Sequence, residues 1–222
     1  MLQVEHISFA YRKKQVLRDV SFTADAGAFI GIIGKNGCGK STLLSVLAGV
    51  RQPDGGSVCF QGAPLFSKGN DAADIVGYVP QLNPLLPELS VRDNLKLWLR
   101  NKADGATEDV TALYAQMGLT DYMNTAVSKL SEGMKKRVSI TSVLQNHPKI
   151  LILDEPSAAL DLPCKEIIHA QLLSFTQKGG IILFTTHEEA EFSLCTTLYI
   201  LKDGILVRAD DTQDKHALIQ QF

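Results

Sequence analysis

The chain has 222 residues, 45% hydrophobic and 21% charged, which is enough apolar material for one sizeable core. Its net charge of −2 and the lack of an extended Lys/Arg run give no electrostatic reason to expect a nucleic-acid partner. No apolar stretch approaches the roughly 20 residues of a membrane-spanning helix, and Met1–His6 lacks a secretory pattern. We therefore predict a soluble intracellular protein whose four scattered cysteines are free thiols.

Two short segments of mixed polarity lie in the first third of the chain. Val16–Phe22 and Val58–Phe60 contain strand-forming residues, and the turn-forming residues Pro53-Asp54-Gly55-Gly56 precede the second segment. This mixed polarity is typical of strands that are buried on one face only. The segments predict an N-terminal antiparallel β subdomain beside the main sheet.

Three apolar runs show no polar alternation, and they are Phe29–Gly34, Ile150–Leu153 and Ile181–Phe184. Such strands are buried on both faces, as in a parallel sheet covered by helices. Near the end of the chain, Leu198–Leu201 and Ile205–Val207 flank an Asp-Gly pair, which predicts a hairpin. The pattern indicates an α/β protein with a mostly parallel sheet core.

The middle of the chain, from about residue 83 to residue 129, has a helical character. It begins with prolines, and Ser90 then has the position of a helix N-cap. A second amphipathic stretch contains Val110, Leu113 and Met117. We predict an inserted helical subdomain within a single domain that spans residues 1–222.

A glycine-rich loop links the first apolar run to a helix predicted at Thr42–Ala48. It fits the pattern G-x-x-x-x-G-K-[ST] with Gly34-Lys35-Asn36-Gly37-Cys38-Gly39-Lys40-Ser41. The backbone N–H groups of such a loop bind phosphate oxygens, and the helix N-terminus adds a partial positive charge. We expect Lys40 to reach the β- and γ-phosphates of a nucleotide and Ser41 to bind Mg²⁺. The loop predicts a P-loop NTPase.

Two adjacent carboxylates, Asp154 and Glu155, end the second apolar run. Successive side chains of a strand point to opposite faces, so the two acids can serve different purposes. We expect Asp154 to hold magnesium and Glu155 to orient and deprotonate the attacking water. Acidic residues at strand ends are common, and it is the phosphate loop that makes this pair informative.

Further segments, in order along the chain, resemble one family, the ABC-type ATPases. Ser131-Glu132-Gly133-Met134-Lys135 resembles the signature segment LSGGQ, and Ser157-Ala158-Ala159-Leu160-Asp161 resembles the segment after the second acid. Gln81, His187 and Tyr11 match the family's glutamine loop, switch histidine and adenine-stacking aromatic. The resemblance covers essentially the whole chain.

The resemblance implies a set of site residues. The expected ATP contacts are Tyr11, Gly34, Lys35, Asn36, Gly37, Cys38, Gly39, Lys40, Ser41, Thr42, Ser131 and Gly133. The expected Mg²⁺ ligands are Ser41, Gln81 and Asp154, and the expected catalytic residues are Lys40, Gln81, Glu155 and His187. Met134 and Glu132 depart from the family's usual Gln and Gly, which bears on the rate of hydrolysis. The remaining histidines, His6, His147, His169 and His216, match no motif.

The family mechanism implies partners as well. Two such domains face each other head to tail, with each ATP between the phosphate loop of one and the signature segment of the other. The resemblance thus predicts an ATP-dependent dimer of the chain with itself or with a paralogue. It also predicts separate transmembrane permease subunits, which would hold the chain at the inner face of the cell membrane and select the substrate.

Two other interpretations stay open from the sequence. The first is a soluble ABC ATPase that acts on a macromolecular or cofactor-assembly complex. The lack of a coiled-coil insert and of a basic stripe counts against roles in DNA repair and translation, but not against cofactor assembly. An inactive binding module fits less well, because Lys40, Asp154, Glu155 and His187 are all present. A multi-span protein that co-purifies would favour the transporter, and a soluble scaffold would favour the alternative.

Overall fold

The computed structural model describes residues 1–12, 14–66, 72–100 and 107–209. The strands are β1 (Leu2–Tyr11), β2 (Lys14–Ala24), β3 (Phe29–Ile33), β4 (Gly55–Phe60), β5 (Ala63–Pro64), β6 (Val76–Val79), β7 (Ile150–Asp154), β8 (Ile181–Thr185), β9 (Thr197–Lys202) and β10 (Ile205–Arg208). The α-helices are α1 (Lys40–Leu47), α2 (Ala72–Ile75), α3 (Val91–Trp98), α4 (Glu108–Gln116), α5 (Glu132–Leu144) and α6 (Leu162–Gln177).

Strands β1, β2, β4 and β5 form an antiparallel sheet in the order β2-β1-β4-β5. This confirms the antiparallel sheet predicted from the segments in β2 and β4, although β2 is longer than predicted and β1 was not predicted. Bulges interrupt the pairing of β1 with β2, and His6 has a φ of 54°. The bulges shift the side chains between faces, so β1 lacks the regular alternation that identifies a strand.

The second sheet has six strands in the order β10-β9-β3-β8-β7-β6. Its first five strands in chain order, from β3 to β9, pair in parallel, and β10 pairs antiparallel with β9 as the predicted hairpin. The carboxyl ends of β3, β7 and β8 therefore lie at one edge of the sheet, where open α/β sheets bind their ligands.

The apolar strands pack on both faces, as predicted. In β7, Ile150 and Ile152 belong to a core shared with α1 and the antiparallel sheet, whereas Leu151 and Leu153 belong to a second core. The second core includes residues of α3, α5 and α6. The six-stranded sheet is thus a central layer, and each face is covered by a different set of elements.

The predicted helical region contains α3, α4 and two 3₁₀ turns, Thr120–Tyr122 and Val127–Lys129. Ser90 caps α3 by accepting a hydrogen bond from Asp93 N, as predicted, and Thr107 caps α4 in the same way. Residues 101–106 of this region and residues 210–222 lie outside the described residues. Within the described ranges, no helix has the length and apolar character that crossing a membrane requires.

Candidate nucleotide-binding site

The glycine-rich loop has the strand–loop–helix context that the motif requires, since it joins β3 to α1. Gly34 has a φ of 154°, and a Cβ there would lie 2.5 Å from Leu201 O. Gly39, the N-cap of α1, has a φ of 111°, and a Cβ there would lie 2.7 Å from a methyl group of Val16. Only glycine fits these two positions, and α1 begins at Lys40 rather than at Thr42 as predicted.

The loop winds around the ammonium group of Lys40, which is buried. Lys40 Nζ donates hydrogen bonds to Gly34 O at 2.8 Å and Lys35 O at 3.3 Å. Burial raises the pKa of the neighbouring Cys38 thiol above its ordinary value of 9.0, although Lys40 opposes the shift. The loop therefore holds one fixed cation beside a neutral thiol, as a site for polyanionic phosphates requires.

A cleft of about 490 Å³ opens above the loop. The nine predicted loop contacts do not all behave alike. Six of them line the cleft, namely Asn36, Gly37, Gly39, Lys40, Ser41 and Thr42, together with Tyr11, Lys14, Val16, Gln81, Glu155 and His187. The other three predicted loop residues, Gly34, Lys35 and Cys38, lie outside this lining and instead support the loop through their backbones or by packing. The structure thus gathers residues from five parts of the sequence around one cleft.

Glu155 stands at the centre of this group. Its Oε2 accepts a hydrogen bond from Gln81 Nε2 at 2.9 Å, and its Oε1 lies 3.0 Å from His187 Nε2. Glu155 also has a φ of 48°, which is an uncommon backbone conformation for a residue with a side chain. The three predicted catalytic residues therefore meet at Glu155, which contacts both Gln81 and His187.

Asp154 is buried, one residue before Glu155. Its Oδ1 accepts a hydrogen bond from Thr185 Oγ1 at 2.7 Å, and the same hydroxyl accepts the N–H of Glu155 at 3.0 Å. Thr185 ends β8, so it ties Asp154, the last residue of β7, and the following Glu155 to the neighbouring strand. Thr185 was not among the predicted site residues, although it pairs with Asp154 at the carboxyl ends of two parallel strands.

Tyr11 lies at the mouth of the cleft and is 41% exposed. Its ring meets Phe9 edge to face at 4.9 Å, and the Arg51 guanidinium lies over the ring at 5.0 Å. Its hydroxyl lies 3.4 Å from Thr42 Oγ1. A purine and the Arg51 guanidinium would each stack on a face of the Tyr11 ring. A purine would therefore use the face that Arg51 leaves accessible, or it would displace the guanidinium.

The signature segment is away from this cleft. Ser131 caps α5 by accepting the N–H of Met134, and neither Ser131 nor Gly133 lines the cleft. A Cβ at Gly133 would lie 2.8 Å from Cys164 Sγ, so glycine is also required for packing on α6. Glu132 forms an ion pair with Lys135 at 2.6 Å and is largely exposed.

The donor set fits a nucleotide with magnesium. Gly34 and Gly39 let the loop pack closely against Leu201 and Val16, and Lys40 supplies the cation. Ser41 and Gln81 line the same cleft, and Asp154 retains Oδ2 for a cation. Hydroxyl, amide and carboxylate oxygens are the ligand types that Mg²⁺ prefers.

A second Glu–His pair lies behind the cleft and was missed from the sequence. Glu191 is 1% exposed, and it accepts hydrogen bonds from Ser157 Oγ and Thr186 Oγ1 and lies 2.8 Å from His169 Nε2. Burial alone would raise the pKa of Glu191, but the hydrogen bonds with His169, Ser157 and Thr186 outweigh it and lower that pKa below its ordinary value of 4.5. Glu191 thus links Ser157, in the segment after Glu155, to Thr186, the residue before His187.

Known proteins share this sequence pattern. A sequence model described as ABC transporter matches residues 17–158. A Nod factor export ATP-binding protein I of Burkholderia lata is 35% identical over 224 residues, which cover 99% of this chain and 72% of that protein. The linearmycin resistance ATP-binding protein LnrL of Bacillus subtilis is 32% identical over 214 residues, covering 93% and 68%.

Solved structures share the fold. One described as the ATP-binding subunit of an ABC transporter superposes with a TM-score of 0.83 at 28% identity, covering 100% of this chain and 92% of that one. A dimeric post-hydrolysis ATP-binding cassette with bound ADP and Pi also gives 0.83, at 25% identity, covering 96% and 100%. Together, these matches show that the chain belongs to the ATP-binding proteins of the ABC transporter family.

Proposed function

We propose that the chain hydrolyses ATP in a magnesium-dependent reaction and couples it to transport by separate transmembrane subunits. One observation carries the proposal: Glu155 contacts both Gln81 and His187 over a cleft whose floor is the phosphate loop. A binding module would need the loop alone. The convergence of a carboxylate, an imidazole and an amide above the loop supports chemistry at the terminal phosphate.

ATP binding follows from the loop and its lysine. The N–H groups at the start of α1 would bind phosphate oxygens, and Lys40 Nζ would exchange its bonds to Gly34 O and Lys35 O for phosphate contacts. The cation is already desolvated and in place, so little reorganisation accompanies binding. Tyr11 would stack on the adenine.

Hydrolysis would centre on Glu155. In the structure its two oxygens are held by Gln81 and His187, which fixes the carboxylate over the cleft. A water that replaces one of these partners can donate its proton to Glu155, while His187 turns to a γ-phosphate oxygen. Magnesium, held by Ser41, Gln81 and Asp154, would neutralise charge on the β- and γ-phosphates.

A dimer would complete each site. Ser131 and Gly133 lie at the N-terminus of the 13-residue helix α5, away from the cleft of their own chain. A helix N-terminus stabilises an anion, so α5 of a second copy or of a paralogue can meet the γ-phosphate. The similar cassettes that crystallised as dimers support this arrangement.

The membrane partner would dock beside the glutamine loop. Leu82 is 84% exposed directly after Gln81, and Leu86, Leu97 and Trp98 are exposed in the same part of the chain. A permease that covers these side chains would hold the protein at the inner face of the membrane and sense Gln81. The relative named for Nod factor export supports export as the direction.

Shared sites can be tested by mixing two inactive variants, Lys40→Ala and Ser131→Asp. Asp retains the capping acceptor of α5, but its carboxylate repels a γ-phosphate. Gly133 is a poorer choice because any Cβ there meets Cys164. In a mixed dimer, one site has an intact Lys40 and an intact Ser131, so random mixing in equal amounts restores about a quarter of the wild-type sites.

Ser131→Asn is the matched control, because it caps the helix without the charge and should keep more activity than Ser131→Asp. A mixture that forms mixed dimers and still hydrolyses no ATP would contradict independent shared sites.

The membrane role has its own test, which is purification from detergent-solubilised membranes. A co-purifying multi-span protein supports the transporter, and a soluble scaffold supports the cofactor-assembly alternative.

A further inference from the structure

A buried lysine lies one turn into α5, just beyond the signature segment. Lys136 is 6% exposed, although lysine side chains normally keep their ammonium group in water. A buried ammonium needs compensating acceptors, because an unpaired one costs several kcal/mol. Its position therefore depends on which groups accept its hydrogen bonds.

The acceptors are backbone carbonyls of the glutamine loop. Lys136 Nζ donates to Gln81 O at 2.9 Å and lies 3.4 Å from Pro80 O. Helix α5 also packs closely on β6, the strand that leads into this loop, since a Cβ at Gly77 would lie 2.2 Å from Val143. Helix and loop are thus held together by a close apolar contact and by one charge-assisted hydrogen bond.

The contact continues to the reacting group. Lys136 holds the carbonyl of Gln81, and the side chain of the same residue donates to Glu155 Oε2 at 2.9 Å. Burial lowers the pKa of Lys136 below its ordinary value of 10.5, and the carboxylates of Asp154, Glu132 and Glu155 oppose that shift. A continuous set of polar contacts therefore joins α5 to Glu155 within one chain.

We propose that Lys136 is a positioning residue that fixes the backbone of Gln81, so that its amide holds Glu155 in the orientation required for hydrolysis. The inference rests on the proposed function. Because Ser131 caps α5, ATP bound by the partner's phosphate loop would act on the same helix that carries Lys136. Engagement of one ATP site is thereby transmitted to Glu155 of the other site.

The test is a double-mutant cycle between Lys136→Met and Gln81→Ala in the full-length chain. Met keeps the apolar stem but donates nothing, so kcat should fall about tenfold, as the loss of a hydrogen bond to a charged group implies, while KM for ATP stays unchanged. In the Gln81→Ala background, Lys136→Met should lower kcat by less than about twofold, because both changes act through one contact. Lys136→Arg, which still donates, should recover most of the activity.

Several controls separate positioning from simple damage. Lys129→Met changes an exposed lysine two residues before the cap of α5 and should leave kcat unchanged. If Lys136→Met does not fold, Lys136→Gln replaces it in the cycle, because its shorter amide cannot reach both carbonyls. Losses that multiply in the double variant, or an unchanged kcat in Lys136→Met, would overturn the inference.

The proposed function is checked separately with the wild-type chain and Glu155→Gln. Absence of hydrolysis by the wild type, or of an ATP-dependent dimer of Glu155→Gln, would contradict the proposed function itself. If both are observed and the cycle is nonetheless multiplicative, only the role of Lys136 is wrong.

Discussion

Two Glu–His pairs, less than 40 residues apart in sequence, differ in environment and therefore in what they can do. Glu155 and His187 lie 3.0 Å apart in the cleft, with side chains 18% and 44% exposed. Glu191 and His169 lie 2.8 Å apart behind it, with side chains 1% and 22% exposed. The residue types and the distances are almost the same, so the surroundings must separate their roles.

The surroundings differ in how many partners each carboxylate has and whether a ligand can replace them. Glu155 is held by Gln81 and His187, and all three line the open cleft. Glu191 is held by Ser157 and Thr186 in addition to His169, where solvent does not reach it. A carboxylate with exchangeable partners can take a proton from water, whereas one with fixed partners holds structure.

The sharpest test of the comparison is Glu155→Gln, which preserves shape and removes the base. Hydrolysis should slow by about 10²–10⁴, because water then lacks its proton acceptor. ATP should still bind and close the dimer, since the loop and Lys40 are intact. Steady-state phosphate release and size-exclusion chromatography with ATP and magnesium measure the two effects. Near-normal hydrolysis would show that Glu155 is not the base.

His187→Ala should have the next largest effect on hydrolysis. It removes the partner of Glu155 Oε1 and the expected γ-phosphate contact, and we expect kcat to fall by about 10². His187→Gln keeps an amide that can donate near the same place, so its loss should be smaller. Equal losses in both variants, measured as phosphate release at saturating ATP, would show that hydrogen bonding is not what His187 contributes.

The sequence indicated one pair and not the other, for a physical reason. The phosphate loop and the acids at the end of β7 follow local rules, in which an apolar strand leads into a fixed spacing of polar residues. Glu155 was found because it follows such a strand, and His187 was found from the resemblance to the ABC-type ATPases. Glu191 contacts Ser157 and His169 across 34 and 22 residues, and no local pattern records those contacts.

Elements of the fold show the same limit. The hairpin of β9 and β10 and the cap at Ser90 are short-range features, and the structure has them as predicted. Strand β1 was missed because its bulges break the alternation, and β6 was missed because it is only four residues long and contains Gly77. The bond from Lys136 to Gln81 spans 55 residues and is equally invisible to local rules.

Glu191→Gln should affect stability more than catalysis. The amide cannot accept all the hydrogen bonds that the carboxylate accepts, so the free energy of unfolding should fall by about 1–3 kcal/mol. Urea unfolding followed by circular dichroism measures this change. Glu166→Gln, at an exposed position on α6, is the matched control and should change stability by less than about 0.5 kcal/mol. Loss of activity as large as that of Glu155→Gln, with unchanged stability, would reverse the assigned roles.

The smallest expected effect is the pH dependence of that stability difference. The pKa of Glu191 is lowered in the folded chain from its ordinary value of 4.5, chiefly because hydrogen bonds outweigh burial. The unfolded chain therefore takes up this proton first as pH falls, and the stabilisation present above pH 4.5 is lost as pH drops through the folded-state pKa. The difference in unfolding free energy between the wild type and Glu191→Gln should thus shrink as pH falls below 4.5 and through the lowered pKa of Glu191 in the folded chain. Urea titrations of both proteins across this interval measure the difference, and His169, the titratable partner of Glu191, is present in both. A difference that stays constant or grows toward low pH would mean that Glu191 is not the carboxylate that the hydrogen bonds hold ionised.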